Sequence, residues 1–371
     1  MFRSKLPGER KRTCGNVLQP DREMVGLFYP MTPFPFDYDL PPDLIAQEPC
    51  EPRDHARLLV ARRADHSLQH RRFDELPDFL SPRDLLVLND TRVLPARLLG
   101  KRTRTGGKWE GLFLRELNDG SWEMICKTRG NMQKDETIEV SALLLRIIGR
   151  LPRHRWQMKP LLPGTPVELL ERFGHIPLPP YIRKGTATEA DRERYQTIYA
   201  QSSGAIAAPT AGLHFTQRVF DCLQSRGIAW ASVTLHVGLA TFQPIQADDY
   251  TQHPMHAEWG QLPQPAVDAI YACQARGGRV VAVGSTSVRI LESIARRGPL
   301  HAWQGEIDLY IHPPYKFKVV DALVTNFHLP RTTLLLLAAA FAGSDLLRQA
   351  YEAAIAERYR FYSYGDAMLI V

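Results

Sequence analysis

The sequence has few cysteines, no paired metal-binding motif and no long apolar run. Its five cysteines are scattered and include no C-x-x-C pair, so the sequence predicts neither a zinc site nor a disulfide framework and favours a reducing compartment. Residues 334–342 form the longest apolar run, which is well short of the roughly 18 residues of a membrane span. We therefore expect a cytoplasmic protein without a membrane-spanning segment.

Several nucleotide-binding and hydrolase motifs are also missing. The sequence contains no Walker A loop, no G-x-G-x-x-G loop and no G-x-S-x-G elbow, so mechanisms that depend on those motifs have no support. Residues 1–31 lack the apolar segment of a secretory signal, and Pro7, Gly8 and Pro20 interrupt any helix there. We expect this stretch to be a disordered N-terminal extension.

The charge of the chain is mildly positive and unevenly spread. The 46 Lys and Arg residues outnumber the 40 Asp and Glu residues, an excess that suits a polyanionic partner without identifying one. Residues 97–159 hold fourteen of these cations and only seven of the anions, which makes this segment the best candidate for a phosphate-contacting surface. A solvated face without a partner explains the same composition equally well.

Apolar runs and turns predict an α/β fold with a second, all-β part. Residues 84–89 are typical of a buried strand, and repeated strand-turn-helix units after residue 160 favour a sheet with helices on its faces. Residues 95–159 instead show short alternating segments separated by glycine-containing turns, the pattern of a small antiparallel barrel. The predicted fold class is therefore an α/β/α sandwich body with an inserted small antiparallel β-barrel. The predicted domains are the extension at 1–31, the α/β catalytic domain at 32–94 and 160–371, and the barrel at 95–159.

Three further strands and two helices are predicted in the second half of the chain. Residues 227–237, 279–283 and 322–327 are apolar and β-branched, as buried strands are. A helix is expected at 264–276, and another begins at Ser285 directly after Gly284. The N–H groups at that helix start offer a site for a carboxylate or phosphate, with Arg289 beside it.

Histidines cluster between residues 214 and 328, where seven of the twelve occur, mostly next to Gly or Pro. Each histidine alone is better explained as a structural residue. The cluster indicates a catalytic site only if the loops that carry these histidines lie close together in the fold. His253, His256 and Glu258 have a spacing that suggests metal ligation, but Pro254 disfavours the single helix that zinc proteases use. Proton transfer is the better functional interpretation, and we predict no metal site.

Six segments of the chain resemble the conserved blocks of the S-adenosylmethionine:tRNA ribosyltransferase-isomerase family of queuosine biosynthesis, and they occur in the order of that family. The blocks are NDTRVLPARL at 89–98, GHIPLPPYI at 174–182, APTAGLHF at 208–215, VTLHVG at 233–238, VTNFHLP at 324–330 and YSYGDAM at 362–368. The resemblance extends from about residue 34 to the C-terminus, and it implies an α/β body that carries an inserted barrel.

The resemblance also implies a reaction. The ribosyl part of S-adenosylmethionine is transferred to 7-aminomethyl-7-deazaguanine at the wobble position of a tRNA anticodon and isomerised, which yields epoxyqueuosine-tRNA, adenine and methionine. S-adenosylmethionine is then a consumed substrate and no cofactor is required. We expect a monomer whose partners are S-adenosylmethionine and the tRNA that carries this base.

With that reaction in mind, residues can be assigned to three roles. Proton transfer is assigned to His214, His236, His256 and Glu258. Substrate binding is assigned to Asp90, Arg92, Ser285, Thr286, Arg289, Thr325, Asn326 and His328. Within this set Ser285, Thr286 and Arg289 are placed at the methionine carboxylate, Thr325 and Asn326 near the ribose, and Asp90 and His328 are reserves for proton transfer. Contact with tRNA phosphates is assigned to Lys101, Arg102, Arg104, Lys108, Arg183 and Lys184.

Four positions depart from the family pattern and keep alternatives open. They are Asp90 in place of Asn, Leu239 in place of a small residue, Gln252 in place of Asp and Pro314 in place of Gly. A tRNA-binding member that has lost catalysis would keep the basic barrel without needing the histidines. A methyltransferase would release S-adenosylhomocysteine rather than adenine and methionine.

Overall fold

The computed structural model describes residues 34, 36–238, 245 and 249–371. The predicted N-terminal extension at 1–31 and Leu239 lie outside these described residues. All six resemblance blocks therefore lie within the described residues.

Seventeen strands and seven α-helices are present in the described part of the chain. The strands are β1 (Arg57–Ala61), β2 (Leu68–Arg72), β3 (Leu85–Asn89), β4 (Thr91–Val93), β5 (Arg97–Arg102), β6 (Lys108–Glu116), β7 (Trp122–Thr128), β8 (Thr137–Val140), β9 (Leu143–Leu151), β10 (Arg155–Pro160), β11 (Ser202–Ala205), β12 (Ala229–Leu235), β13 (Glu258–Leu262), β14 (Val280–Val283), β15 (Trp303–Ile307), β16 (Ala322–Asn326) and β17 (Ala367–Ile370). The helices are α1 (Pro166–Phe173), α2 (Asp191–Arg194), α3 (Gln217–Ser225), α4 (Gln264–Ala275), α5 (Ser285–Ala295), α6 (Thr333–Ala342) and α7 (Ser344–Ala356). Short 3-10 turns include Phe73–Phe79, Arg183–Gly185 and Thr210–His214.

Nine of the strands form the central sheet of the body, in the order β15-β13-β12-β3-β14-β16-β17-β1-β2. The four neighbours β12, β3, β14 and β16 are parallel to one another. Their carboxyl ends therefore meet at one edge of the sheet, where open α/β sheets commonly bind ligands. The remaining neighbouring strands pair antiparallel, except for the parallel pair β17 and β1.

Alternating side chains on the strands cover both faces of the sheet. On β3, Leu85 and Val87 belong to a core under α4 to α7, whereas Leu86 and Leu88 belong to a second core under α3 and the Phe73–Phe79 turn. This two-sided burial explains why β3 is apolar from Leu85 to Leu88. It also confirms the predicted sandwich of helices on both faces.

The other large element is a closed barrel of six antiparallel strands, in the order β10-β7-β6-β5-β8-β9. Its core contains Trp122, Met124, Leu145, Ile147 and Met158, all buried. The short strand β4 lies just before the barrel and pairs in parallel with β11, with a register shift at Gly204. Residues 176–195, between the barrel and β11, already pack against the body. The fold class predicted from the sequence is confirmed, while several strands are shorter than predicted because the pairing ends earlier, as in β12.

Candidate active site at the carboxyl edge of the sheet

A narrow crevice lies where β14 and β16 end. It has a volume of about 20 Å³ and is lined by Thr210, Ser285, Thr286, Thr325, Asn326 and His328 among others. Gly284 joins β14 to α5 with a φ of 86°, a value that favours glycine and lets the strand turn directly into the helix. The structure thus brings together five of the predicted substrate-binding residues.

The start of α5 is suited to an anionic ligand. The first N–H groups of a helix have no intrahelical acceptor and carry a partial positive charge. Thr286 lies in the first turn and is only 6% exposed, and its hydroxyl has no hydrogen-bond partner among the described residues. An unpartnered buried hydroxyl is costly, so a ligand oxygen in the crevice would supply the missing hydrogen bond.

Arg289, also on α5, does not line this crevice. Its guanidinium forms a buried ion pair with Glu258 and also donates to the carbonyl oxygens of Leu309 at 3.3 Å and Ile307 at 3.4 Å. Because all three nitrogen atoms already have acceptors within the protein, the placement of Arg289 at a substrate carboxylate is wrong in this structure. The sequence offered no sign of its ion pair with a residue 31 positions earlier.

His214 is buried behind the crevice rather than in it. Asn326 donates from Nδ2 to Nε2 of His214 at 3.3 Å and to the carbonyl of Tyr362 at 3.2 Å, and its Oδ1 accepts from the Thr210 hydroxyl at 2.8 Å. Burial lowers the pKa of His214 to about 4, so the ring is neutral at pH 7. His214 therefore holds the Asn326 amide in place, and direct proton transfer to a substrate is not consistent with its position.

His328 lines the crevice in a fixed orientation. The Thr325 hydroxyl and the His328 Nε2 are 2.8 Å apart, and the backbone N–H of His328 donates to the Tyr351 hydroxyl at 2.8 Å. Burial lowers the pKa of His328 to about 3. The neutral ring is therefore a polar wall of the crevice and a poor proton donor at pH 7.

A wider cleft of about 660 Å³ lies between the body and the barrel. The body side includes His236, His256, Glu258 and Trp259, and the barrel side includes Arg115, Arg153 and Arg155. Val237 lines both the cleft and the crevice, so the two spaces adjoin. The structure therefore places three of the four predicted proton-transfer residues in one cleft.

His236 follows β12, and the orientation of its ring is the most constrained among the histidines of the cleft. Its ring stacks on Trp259 with centroids 5.0 Å apart, and its Nδ1 lies 2.8 Å from the Thr91 hydroxyl. That hydroxyl donates to the Ser202 carbonyl at 3.4 Å, which favours the tautomer in which Nδ1–H donates to Thr91 and Nε2 is an acceptor. Burial lowers the pKa of His236, so the ring is neutral at pH 7 and can accept a proton.

Glu258 and His256 differ in burial and in their contacts within the protein. Glu258 is buried, accepts from the Gly238 N–H at 2.6 Å and pairs with Arg289, whereas His256 is exposed at the cleft. Because its oxygens are engaged, Glu258 fixes the segment after β12 more readily than it transfers protons. His256 remains a candidate proton donor.

Asp90 and Arg92 lie outside both spaces. Thr234 donates to Asp90 at 2.6 Å, and burial raises the pKa of this carboxyl. Arg92 is exposed on β4. Of the other positions that depart from the family pattern, Gln252 and Pro314 are exposed, and neither is among the residues that line the crevice or the cleft.

The predicted tRNA contacts divide into exposed and engaged side chains. Lys101, Arg104, Lys108 and Lys184 are exposed. Arg102, in contrast, is 3% exposed and forms an ion pair with Glu136 at 2.6 Å, so its assignment to a phosphate is wrong. Arg183 is held by Glu48 and Asp191 and is likewise committed within the protein.

Sequence reasoning missed several residues of the cleft. They are Thr91, Gly204, Trp259, Arg115, Arg153 and Arg155. The three arginines were counted in the basic excess of the barrel, but only the three-dimensional structure shows that they face the body. Among the residues that the structure describes, no group of three or more His, Cys, Asp or Glu is placed to hold a metal ion. Of the described helices, none has the length and apolarity needed to span a bilayer.

Comparison with known proteins gives a consistent result. The family model described as queuosine biosynthesis protein matches residues 34–370. The S-adenosylmethionine:tRNA ribosyltransferase-isomerase of Symbiobacterium thermophilum is 49% identical over 339 residues, which cover 91% of this chain and 98% of that protein. The protein of the same name from Azoarcus sp. is 50% identical, with 90% of this chain and 96% of that protein covered.

A solved structure is also similar. The crystal structure of S-adenosylmethionine tRNA ribosyltransferase from Thermotoga maritima superposes with a TM-score of 0.54 at 39% identity, and the match covers 91% of this chain and 100% of that chain. Sequence and structure therefore agree over almost the whole described length. This chain belongs to the queuosine biosynthesis protein family, whose curated members are S-adenosylmethionine:tRNA ribosyltransferase-isomerases.

Proposed function

We propose that this chain is an S-adenosylmethionine:tRNA ribosyltransferase-isomerase. It transfers and isomerises the ribosyl moiety of S-adenosylmethionine onto 7-aminomethyl-7-deazaguanine at the wobble position of a tRNA anticodon, with release of adenine and methionine. The observation that carries this proposal is the junction of a small crevice, suited to an anionic substrate group, with a cleft that holds an oriented neutral histidine and three arginines.

S-adenosylmethionine is a consumed substrate, bound with its methionine carboxylate in the crevice and the rest of the molecule towards the cleft. The carboxylate accepts from the first N–H groups of α5 and from the unpartnered hydroxyl of Thr286. Thr325, Asn326 and His328 line the same space and contact the ribose. This arrangement directs the sulfonium and the adjoining 5′ carbon towards Val237, at the border with the cleft.

His236 is the general base of the proposed mechanism. A sulfonium acidifies the neighbouring 5′ carbon, and the free Nε2 of a neutral imidazole is a suitable acceptor for that proton. Loss of adenine, attack by the aminomethyl nitrogen and closure of the epoxide with expulsion of methionine then follow. His256 supplies a proton to the departing adenine, while Glu258 and His214 hold the surrounding segments.

The modified base enters through the cleft, and Arg115, Arg153 and Arg155 contact the phosphates next to it. Arg115 and Arg155 each also pair with Glu123, so Arg153 is the cation of this set with the fewest constraints. We further propose that the enzyme acts as a monomer in the cytoplasm, where its tRNA substrate is found.

The test uses wild-type protein, His236→Gln and the control His301→Gln, an exposed histidine bonded to the Pro299 carbonyl. Each is mixed with S-adenosylmethionine and tRNA bearing 7-aminomethyl-7-deazaguanine, and adenine release and nucleoside mass are followed together. We expect coupled adenine and epoxyqueuosine for wild type and His301→Gln, and a loss of about 10²- to 10⁴-fold for His236→Gln. Binding of tRNA by the wild type with neither product would instead indicate the non-catalytic member of the family.

A further inference from the structure

The barrel is open at one end. The opening, which we call the barrel mouth, has a volume of about 530 Å³ and is lined by Cys126, Thr128, Asn131, Lys134, Arg150 and Trp156 among others. Lys101 pairs with Lys108 across β5 and β6, and Thr128 donates to the Lys108 carbonyl at 2.8 Å. The exposed cations of the β5–β6 hairpin therefore border the same end of the barrel.

An irregular strand pairing brings an aromatic ring and a cation together in the mouth. On β10, Trp156 lies on the same side as the buried Met158, and the register of β10 with β9 shifts between Gln157 and Met158. The shift places Arg150 directly opposite Trp156, with its guanidinium 6.0 Å from the ring centroid. A β-bulge commonly redirects a side chain in this way, and here it adds a cation beside a half-buried indole.

The charge of the mouth is positive. Its lining includes the cations Lys134 and Arg150 and no acidic side chain. Nearby Glu136 is neutralised by Arg102, which also donates to the carbonyls of Arg129 and Asn131 and so holds the loop at the rim. The mouth is therefore a stable concave surface with one aromatic platform and unopposed cations.

The β9–β10 hairpin connects the mouth to the active-site cleft. Arg153 and Arg155 of this hairpin line the cleft, whereas Arg150 and Trp156 line the mouth. An RNA strand held in the cleft thus needs to pass only this hairpin to reach Trp156. Stacking of bases on aromatic rings beside basic groups is the usual chemistry of single-stranded nucleic-acid sites.

We propose that the barrel mouth is a second RNA subsite, in which a base other than the modified one stacks on Trp156 and its phosphates contact Lys134 and Arg150. The proposal rests on the proposed function, because it takes tRNA as the substrate. It extends that function by assigning recognition of a further tRNA nucleotide to the barrel.

The experiment measures the Kd for an unmodified tRNA transcript, which binds without turnover, over a series of salt concentrations. Trp156→Ala should raise the Kd about tenfold, and Trp156→Phe should retain most of the affinity because a phenyl ring still stacks. Lys134→Glu should raise the Kd and reduce the slope of log Kd against log salt by about one or more. Because Lys134 is exposed, this variant tests the mouth without altering the barrel core.

Lys316→Glu is the matched charge-reversal control. Lys316 is exposed two residues before Lys318, which bonds to Glu292 and Ala295 near the carboxyl end of α5, away from the crevice. If Trp156→Ala and Lys134→Glu bind the transcript as Lys316→Glu does, the mouth is not an RNA subsite. A wild type that fails to bind the transcript would overturn the second subsite, whereas the proposed reaction is judged by turnover of the modified tRNA.

Turnover of the wild type separates the remaining outcomes. If it releases adenine with the modified tRNA while the mouth variants bind normally, only the second subsite is refuted. If it releases none while the mouth variants lose affinity, the subsite stands and the proposed reaction fails.

Discussion

Replacement of Gly204 by alanine should impair catalysis by displacing the His236 ring, and the φ of 157° at this position adds backbone strain on β11. A Cβ at position 204 would lie 2.5 Å from Nε2 of His236, whereas comfortable contacts of this kind begin near 3.5 Å. The ring must therefore recede by about 1 Å, and its freedom is limited by the Trp259 stack and the Thr91 hydrogen bond. A displacement of about 1 Å at a reacting group costs about 10²-fold in rate, or about 2.7 kcal/mol of transition-state stabilisation.

The assay compares kcat/KM for adenine release by wild type, Gly204→Ala and Ser203→Ala, with the Kd for tRNA measured alongside. Ser203 precedes Gly204 on β11 and is exposed, so its variant controls for a change in the strand itself. We expect kcat to fall about 10²-fold in Gly204→Ala while the Kd for tRNA stays within about twofold of the wild type. Wild-type turnover by Gly204→Ala would refute the assignment of His236 as the base.

The remaining predictions concern the crevice, the buried histidines and the barrel. Thr286→Val should raise the KM for S-adenosylmethionine about tenfold without lowering Tm, because it removes an unpartnered buried hydroxyl; a lower Tm would show that the hydroxyl bonds within the protein. The pKa values of His214 and His328, about 4 and 3, lie below the ordinary 6.5. The stability that the two neutral rings contribute is therefore complete above about pH 6.5. It is lost as the pH falls from 6.5 towards these folded-state pKa values. Urea unfolding at pH 4.5 should show a loss of about 2–3 kcal/mol per histidine relative to pH 7, and His214→Gln should lose less than the wild type. Arg102→Ala should destabilise the barrel by about 3–5 kcal/mol because Glu136 is left buried without its ion pair, whereas unchanged unfolding would show that the pair contributes little.

Local patterns were enough to predict the architecture. Strands β3 and β14 are covered on both faces, and β14 and the first four residues of β3 are therefore apolar throughout, which allowed both strands to be predicted from the sequence. The change to short alternating segments between residues 95 and 159 identified the barrel, because each of its strands has one buried face.

The partners of charged residues were not predictable in the same way. The sequence does not distinguish Arg102 and Arg289 from exposed arginines. Each is nevertheless buried against a carboxylate that is more than 30 positions away. Only the pairing of distant strands determines such contacts. The same limit applies to His214, whose place behind Asn326 depends on a contact over 112 positions.

The register of the β9–β10 hairpin could not be predicted from the sequence for a further reason. A shift of one residue exchanges the two faces of a strand, and the sequence does not state where the shift occurs. Arg150 would otherwise have been assigned to the outer surface of the barrel.

The paired strands β4 and β11 have a consequence for how the two halves of the molecule are coupled. β4 lies just before the first barrel strand, and the two strands carry Thr91, which bonds to the His236 ring, and Gly204, which packs against it. The entry of the chain into the barrel and the orientation of the base are therefore linked through one two-stranded ribbon. An insertion or deletion in this ribbon would misalign the chemistry even if every residue of the crevice were left unchanged.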